Sequence, residues 1–339
     1  MQHNTLQNFA DKHSIDFDAN AARLVGDATA SPISEWATSY AQEAPIYHVT
    51  DLDTATLVVY ANEPLKSHAA LHPTKQYGGA VENTIGRTAE FDVACGLDEF
   101  VFLSLGKLAT TDIGPVAAFT LHKDVLQDSV TSFKDIAAMD AIVLCPAEQF
   151  NEDDADQQAV NSANADILRQ FAASLVPANE FAVPFARYLD TNFSSVDDFL
   201  QTFSFKKGVI DLPPAGSPAH DELVAQVKLF NQLAPGRAFD YFTHGHYYAG
   251  PQIMAPDYVA TQHIQSVILY EGDVSNRAKV KQLLQIAQKR GVYADLVTLT
   301  EVSDHVAANL SASTKDITMS EVYIATRAAM NVLFNKKAA

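Results

Sequence analysis

The chain has 339 residues, of which 47% are hydrophobic and 19% charged, and its formal net charge is −18. These proportions are typical of a folded globular protein that is long enough for one large domain or two ordinary ones. The negative charge disfavours a nucleic acid bound over a broad surface, so a protein or small-molecule partner is preferred. Because no apolar run approaches the ~18 residues of a membrane span, we expect no membrane partner.

The first half of the chain is predicted to contain both helices and strands. Leu6 to Val25 has a weak helical pattern, and Ser31-Pro32 predicts the N-cap and first-turn proline of a helix that Pro45 ends. Strands are predicted at 46–49, 56–60, 99–105 and 116–121. A capped helix from Asp51 to Tyr60 is the alternative to the second strand. Residues 67–87 form a polar, turn-rich stretch of the kind that makes binding loops.

The second half begins with a mostly helical segment at about 150–235, which we expect to be an insertion between two strand-rich blocks. Its helices are predicted at about 155–175, 196–203 and 220–233. Strands are predicted at 142–146, 239–248, 252–254 and 264–270. A helix from Ser275 to Lys289, ended by Gly291, then precedes a strand at 292–299 and a final helix at about 318–334.

Three separated motifs carry the strongest functional signal. The first is Ile46-Tyr47-His48-Val49-Thr50, the second runs from Leu97 to Ser104, and the third runs from Gly250 to Val259 and is followed by 263–268. In this order they resemble the ADP-ribosyltransferase superfamily, especially bacterial single-domain members related to the thymidine-modifying toxins. That family has a Tyr-His-x-Thr strand, a middle strand of the Tyr-Val-Phe kind and a closing Glu-Ile-Leu-x-Pro-x-x-Val strand. The resemblance covers about 45–126 and 238–271.

The resemblance implies an α+β fold with an ADP-ribosyltransferase-like split β-sheet core, a helical insertion and flanking N- and C-terminal helices. The implied organisation is an N-terminal helical segment at 1–44, the transferase-like domain at 45–271 and a C-terminal α/β extension at 272–339. It also implies NAD as the cofactor. The implied reaction is mono-ADP-ribosyl transfer or NAD hydrolysis through a dissociative ribosyl cation, with a protein or small-molecule acceptor.

The same resemblance assigns roles to residues of the first two motifs and of the loop between them. His48 would hydrogen-bond the nicotinamide ribose or the carboxamide of NAD, and Thr50 would help to hold that strand end. Tyr77, beside Gly78 and a second glycine, would stack on the nicotinamide ring, and Ser104 would line the pocket. Without the resemblance, these residues also fit a structural histidine, a loop turn and an outward strand residue.

The third motif departs from the family at its most important position. Gln252 stands where the family has its catalytic glutamate, with Ile253, Pro256 and Val259 in register after it. A carboxylate there accepts a hydrogen bond from the ribose 2′-hydroxyl and stabilises the developing oxocarbenium cation, whereas an amide supplies no negative charge. Loss of such preorganised electrostatics typically costs ~10²–10³ in rate. The replacement weakens catalysis without excluding it, and a non-catalytic module that binds NAD stays open.

A metal-dependent enzyme is the alternative in a different class. His244 and His246 lie two residues apart, so on a strand both imidazoles would face the same way. His220, Asp240 or His263 would supply a third ligand to zinc or iron. In the transferase interpretation, His244 and His246 instead lead into the last catalytic strand.

The remaining sequence features indicate the cellular compartment and exclude several enzyme classes. Cys95 and Cys145 have no Cys-x-x-Cys spacing, and Met1 to Thr5 lacks the basic and apolar blocks of a signal peptide, so we expect a cytoplasmic protein with free thiols. The chain has no P-loop, dinucleotide-binding glycine motif or hydrolase nucleophile elbow. Basic residues from Arg277 to Arg290 predict a solvated helix face in preference to an anion site for a pyrophosphate or a nucleic-acid end, and Glu301 with its neighbours has no identified partner.

Overall fold

The computed structural model describes residues 2–25, 31–71, 96–106, 117–132, 172–192, 194–196, 218, 252–272, 276–310 and 319–338. The helices, numbered in chain order, are α1 Gln2–His13, α2 Phe17–Val25, α3 Pro32–Glu43, α4 Leu52–Ala61, α5 His68–Leu71, α6 Ala182–Asn192, α7 Arg277–Arg290, α8 Leu299–Leu310 and α9 Met319–Ala338. The strands are β1 Ile46–Thr50, β2 Leu65–Lys66, β3 Phe100–Leu105, β4 Ala117–Leu121, β5 Val130–Ser132, β6 Val176–Pro177, β7 Gln252–Pro256, β8 Tyr258–Val259, β9 Ile264–Tyr270 and β10 Tyr293–Val297.

One large mixed sheet organises the fold. Its eight strands follow the order β10-β9-β4-β1-β3-β7-β5-β6, and β2 pairs separately with β8. The β9–β10 pair is parallel and is connected through α7, whereas the other pairs are antiparallel. The protein is therefore a mixed α/β structure, in agreement with the α+β class in general. Among the described helices, none is long and apolar enough to cross a membrane.

Alternating side chains give the sheet two buried faces. On the first face, Ile46, Phe119 and Ile253 belong to a core that includes buried residues of α3, α4, α6 and α7. On the opposite face, Tyr47 belongs to a cluster with residues of α8 and α9, and Phe100 to a cluster with Phe9 of α1. Helices cover both faces because both alternating sets in these strands are largely apolar.

The helix predicted after Ser31 is confirmed, together with its capping. The Ser31 hydroxyl accepts the Ser34 backbone N–H, the Ser34 hydroxyl accepts the Ser31 N–H, and Pro32 occupies the first turn. At the other end, the Lys123 ammonium donates to the Ala41 and Ala44 carbonyls, which satisfies groups that a helix C-terminus leaves unpaired. These hydrogen bonds hold the C-terminal end of α3, which is followed in the chain by β1.

The strand predicted at 56–60 is wrong, and the alternative of a capped helix is correct. Asp51 accepts the Thr54 N–H at 2.7 Å and begins α4. Val58 and Val59 are buried, whereas Leu57 and Tyr60 are 57% and 60% exposed. This one-sided burial has the period of a helix, so the N-cap and the packing outweigh the β-branched residues of the run.

At the C-terminal end, the predicted helix, strand and final helix are confirmed as α7, β10 and α9, and α8 is an element that was not predicted. Gly291 ends α7 with a φ of 71°, and the Glu301 carboxylate accepts the Thr298 N–H at 2.7 Å at the start of α8. Within the predicted helical insertion, the described residues add the edge strand β6 and the helix α6. The predicted elements at 142–146, 220–233 and 239–248 lie outside the described residues, as do residues 155–171 of the helix predicted at 155–175 and residues 197–203 of the helix predicted at 196–203.

Candidate functional site

The three sequence motifs form neighbouring strands of the large sheet. The first motif is β1, the second contains β3, and the third contains β7 and β8, of which β7 belongs to the large sheet. In the register, Tyr47 lies opposite Ser104, and Ser104 lies opposite Gln252. Residues separated by more than two hundred positions in the chain are thus placed in one cross-strand row.

Within the eight-stranded sheet, the ladder between β1 and β3 is short. The ladder that joins these two strands contains only the pairs Ile46–Leu105 and Tyr47–Ser104. By contrast, the β1–β4 and β3–β7 ladders each continue through five residue pairs. The short ladder joins two four-stranded halves of the sheet at one end. We call the region between β1 and β3 from His48 onward, where the two strands form no further pairs, the split.

His48 lies where β1 and β3 separate. Its Nδ1 atom is 3.1 Å from the carbonyl oxygen of Phe102 in β3. Because a carbonyl can only accept, this hydrogen bond requires the proton on Nδ1 and leaves Nε2 as an acceptor in the neutral ring. Burial lowers the pKa of His48, and the hydrogen bond to Phe102 only partly opposes that shift. The ring is thus kept neutral and oriented, and it offers one acceptor atom.

The predicted site residues do not all share one face of the sheet. Directly opposed residues of an antiparallel pair point the same way, so Ser104 and Gln252 lie side by side on the face of Tyr47. Successive residues alternate, so His48 belongs to the opposite face. Thr50 is buried at the end of β1 on the His48 face, opposite Ala117. The structure therefore brings Ser104 and Gln252 together, and His48 reaches the split from the other face.

The row that contains Gln252 is polar and neutral. Its members, from β9 to β7, are Ser266, Thr120, Tyr47, Ser104 and Gln252. The Thr120 and Ser266 hydroxyls are 2.6 Å apart, and the Thr131 hydroxyl donates to the Gln252 carbonyl at 2.8 Å. Ser104 is buried and Gln252 is half-buried. The row offers hydroxyl and amide hydrogen bonds but contains no carboxylate to stabilise a cation.

No protein-family model matches the chain, and no curated protein matches it. The chemistry of this site is therefore argued from its own residues and their geometry.

Several predicted site residues cannot be placed in this geometry. Tyr77, Gly78, His244 and His246 lie outside the described residues, as do two of the suggested third metal ligands, His220 and Asp240. His263 is described; its carbonyl accepts the His122 N–H at 2.8 Å. Among the described residues, no group of three His, Cys, Asp or Glu side chains could hold a metal ion. The metal-dependent alternative stays a prediction, and the zinc and iron content of the purified protein tests it.

The basic helix α7 is partly paired with acidic residues of neighbouring elements. Arg277 lies 2.8 Å from the Glu271 carboxylate, and Lys279 lies 3.0 Å from Asp53 at the start of α4. Arg290 lies over the Tyr60 ring, 5.4 Å from its centroid. These exposed pairs agree with a solvated helix face better than with an anion site, because part of its charge is already compensated.

Two residues at the split were not identified from the sequence. The carbonyl of Phe102 orients His48, and Asn335 of α9 hydrogen-bonds Tyr47 at 2.7 Å. A main-chain acceptor has no signature in the sequence. Asn335 lies far from all three motifs in the chain, so only the packing of α9 against the sheet reveals its role.

The lowered pKa of His48 predicts a pH dependence of stability. The unfolded protein binds a proton at this histidine below about pH 6.5, while the folded protein resists it, so the free energy of unfolding falls as the pH falls below 6.5. The slope from this residue is at most about 1.4 kcal/mol per pH unit. We expect His48→Gln, which keeps an N–H donor for Phe102, to reduce the slope. Urea unfolding of both proteins between pH 5 and 7.5 measures it, and identical slopes would contradict the assignment.

Proposed function

We propose that this protein binds NAD at the split between β1 and β3, and that it is a member of the ADP-ribosyltransferase superfamily with weak catalytic activity. The observation that supports this most strongly is the sheet arrangement. The three motif strands are neighbours, and the ladder between β1 and β3 stops at His48, which agrees with the split core that the motifs imply.

A ligand in the split can contact residues of both faces. The Nε2 atom of His48 would accept a hydrogen bond from a ribose hydroxyl or from the carboxamide N–H₂ of NAD. From the opposite face, the Ser104 hydroxyl and the Gln252 amide would both donate and accept hydrogen bonds. Because His48 and Gln252 lie on opposite faces of the sheet, one ligand can contact both residues only if it lies in the split between β1 and β3.

The proposed reaction is cleavage of the bond between nicotinamide and ribose. Nicotinamide leaves with the bonding electron pair, and the ribosyl cation is captured by water or by a nucleophile of a protein or small-molecule acceptor. Gln252 can hydrogen-bond the 2′-hydroxyl, but it cannot neutralise the cation. Because charge stabilisation is usually the largest catalytic contribution at such a centre, we expect binding to be retained better than turnover.

Calorimetric titration of NAD into the protein tests this proposal. We expect saturable binding by the unmodified protein and at least tenfold weaker binding by His48→Ala, a loss of about 1.4 kcal/mol. His122→Ala is the matched control, because His122 is exposed and lies outside the split. No binding by the unmodified protein would overturn the proposal. Equal affinity of the His48→Ala variant would place any NAD site elsewhere.

A non-catalytic NAD-binding module is the second candidate, and Gln252 is the observation that favours it. The neutral row around Gln252 supplies hydrogen bonds without the negative charge that would stabilise the ribosyl cation. NAD binding without release of nicotinamide over a long incubation would select this candidate. Release of nicotinamide above the rate in buffer would select the transferase or hydrolase.

A further inference from the structure

The closed end of the split is bridged by one side chain from the C-terminal helix. Asn335 of α9 accepts a hydrogen bond from the Tyr47 hydroxyl through Oδ1 at 2.7 Å. Its Nδ2 donates to the carbonyl of Gly106 at 3.1 Å. Tyr47 belongs to β1 and Gly106 directly follows β3, so a single amide joins the two strands where their ladder is intact.

A second set of contacts makes this closed end tight. The Tyr40 hydroxyl of α3 donates to the Leu105 carbonyl at 2.9 Å, and the Gly106 N–H donates to the Pro45 carbonyl at 2.7 Å. Tyr47 is fully buried, so its hydroxyl depends on Asn335 for a hydrogen-bond partner. The helices α3 and α9, which come from opposite ends of the chain, thus both hydrogen-bond this short ladder, one from each face of the sheet.

These contacts matter because the ladder between β1 and β3, which joins the two four-stranded halves of the sheet, is short. With only two residue pairs, it has fewer backbone bonds than the five-pair ladders on either side of it. Side-chain hydrogen bonds are then a large share of what holds the two halves together. We infer that Asn335 is a positioning residue that sets the separation of β1 and β3. If the proposed function holds, it thereby sets the affinity of the split for NAD.

Hydrogen exchange measured by mass spectrometry tests this inference. We expect Asn335→Ala to speed exchange about tenfold in peptides covering 45–50 and 100–106, relative to peptides covering β9 and β10. Tyr47→Phe, which removes only the hydroxyl, should act in the same direction with the core packing retained. Val332→Ala is the matched control, since Val332 lies on the same helix and is 50% exposed. In calorimetry, NAD should bind about tenfold more weakly to Asn335→Ala.

The outcomes separate the positioning role from general stability and from the proposed function. Equal acceleration in β9 and β10 would show loss of global stability and overturn the inference, as would unchanged exchange in β1 and β3. Local acceleration with unchanged NAD affinity would overturn the connection to the ligand. If the unmodified protein does not bind NAD, the proposed function fails, and the exchange measurements still decide whether Asn335 holds the split.

Discussion

Replacing Gln252 by glutamate is expected to increase the rate of NAD cleavage about 10²–10³-fold. The change puts a negative charge at the start of β7, beside Ser104 on β3, where the resemblance implies that the ribosyl cation develops. The backbone position is retained, because Thr131 holds the carbonyl of residue 252 and not its side chain. Nicotinamide release at saturating NAD, followed by chromatography, measures the effect.

The control for this experiment is a second glutamine-to-glutamate change away from the split. Gln282→Glu adds the same charge on the exposed surface of α7, and we expect it to leave the rate unchanged. The NAD affinity of Gln252→Glu should stay within a few-fold of the unmodified protein. Normal affinity without a faster reaction would exclude Gln252 from the catalytic position and favour the non-catalytic module.

Replacing Gly106 by alanine is expected to destabilise the protein by about 2–5 kcal/mol. Gly106 has a φ of 67°, and a left-handed backbone costs an L-residue about 1–2 kcal/mol. A Cβ atom here would also overlap the Tyr40 hydroxyl and lie 2.9 Å from Cε2 of that ring. Overpacking of this kind typically costs about 1–3 kcal/mol. Urea unfolding measures the change as a shift of midpoint at constant slope.

Gly291 provides the matched control for the steric part of this cost. Its φ of 71° is almost the same, but no atom lies within 4 Å of the Cβ that alanine would add. Gly291→Ala should therefore cost only about 1–2 kcal/mol, from the backbone conformation alone. Equal costs at the two positions would mean that the Tyr40 ring moves aside without penalty, and that the closed end of the split is less tightly packed than the structure indicates.

Elements with a strong local pattern could be predicted from the sequence. Ser31-Pro32 predicts the start of α3, and Gly291 predicts the end of α7, because capping depends on only a few neighbouring residues. The run 56–60 is different: its β-branched residues favour a strand, but its surroundings make it α4. The helix α8 was missed although the sequence carries a local signal for its start, since Thr298 and Glu301 form a capping box. The added contact between the Leu299 N–H and the Glu271 carboxylate depends on the tertiary structure.

For the candidate site too, some features could be predicted from the sequence and others could not. His48, Ser104 and Gln252 could be singled out from the sequence, because the three motifs that contain them resemble those of the ADP-ribosyltransferase superfamily. Their spatial arrangement could not be predicted. It depends on the adjacency of β1, β3 and β7 and on the pairing register, which decides the face of the sheet on which each side chain lies. A one-residue change of register would put Gln252 on the face of His48.

Composition and local patterns were thus enough to predict a folded, acidic α+β protein and most of its described strands, whereas the residues of the candidate NAD site were implied by the resemblance of three motifs to a family. Only the tertiary structure decided that the sheet splits at His48 and that Asn335 and Tyr40 hold its closed end. The physical reason is the distance along the chain over which each interaction acts. Capping and side-chain periodicity act over a few residues, whereas the contact between Tyr47 and Asn335 joins residues 288 positions apart and exists only once α9 packs on the sheet.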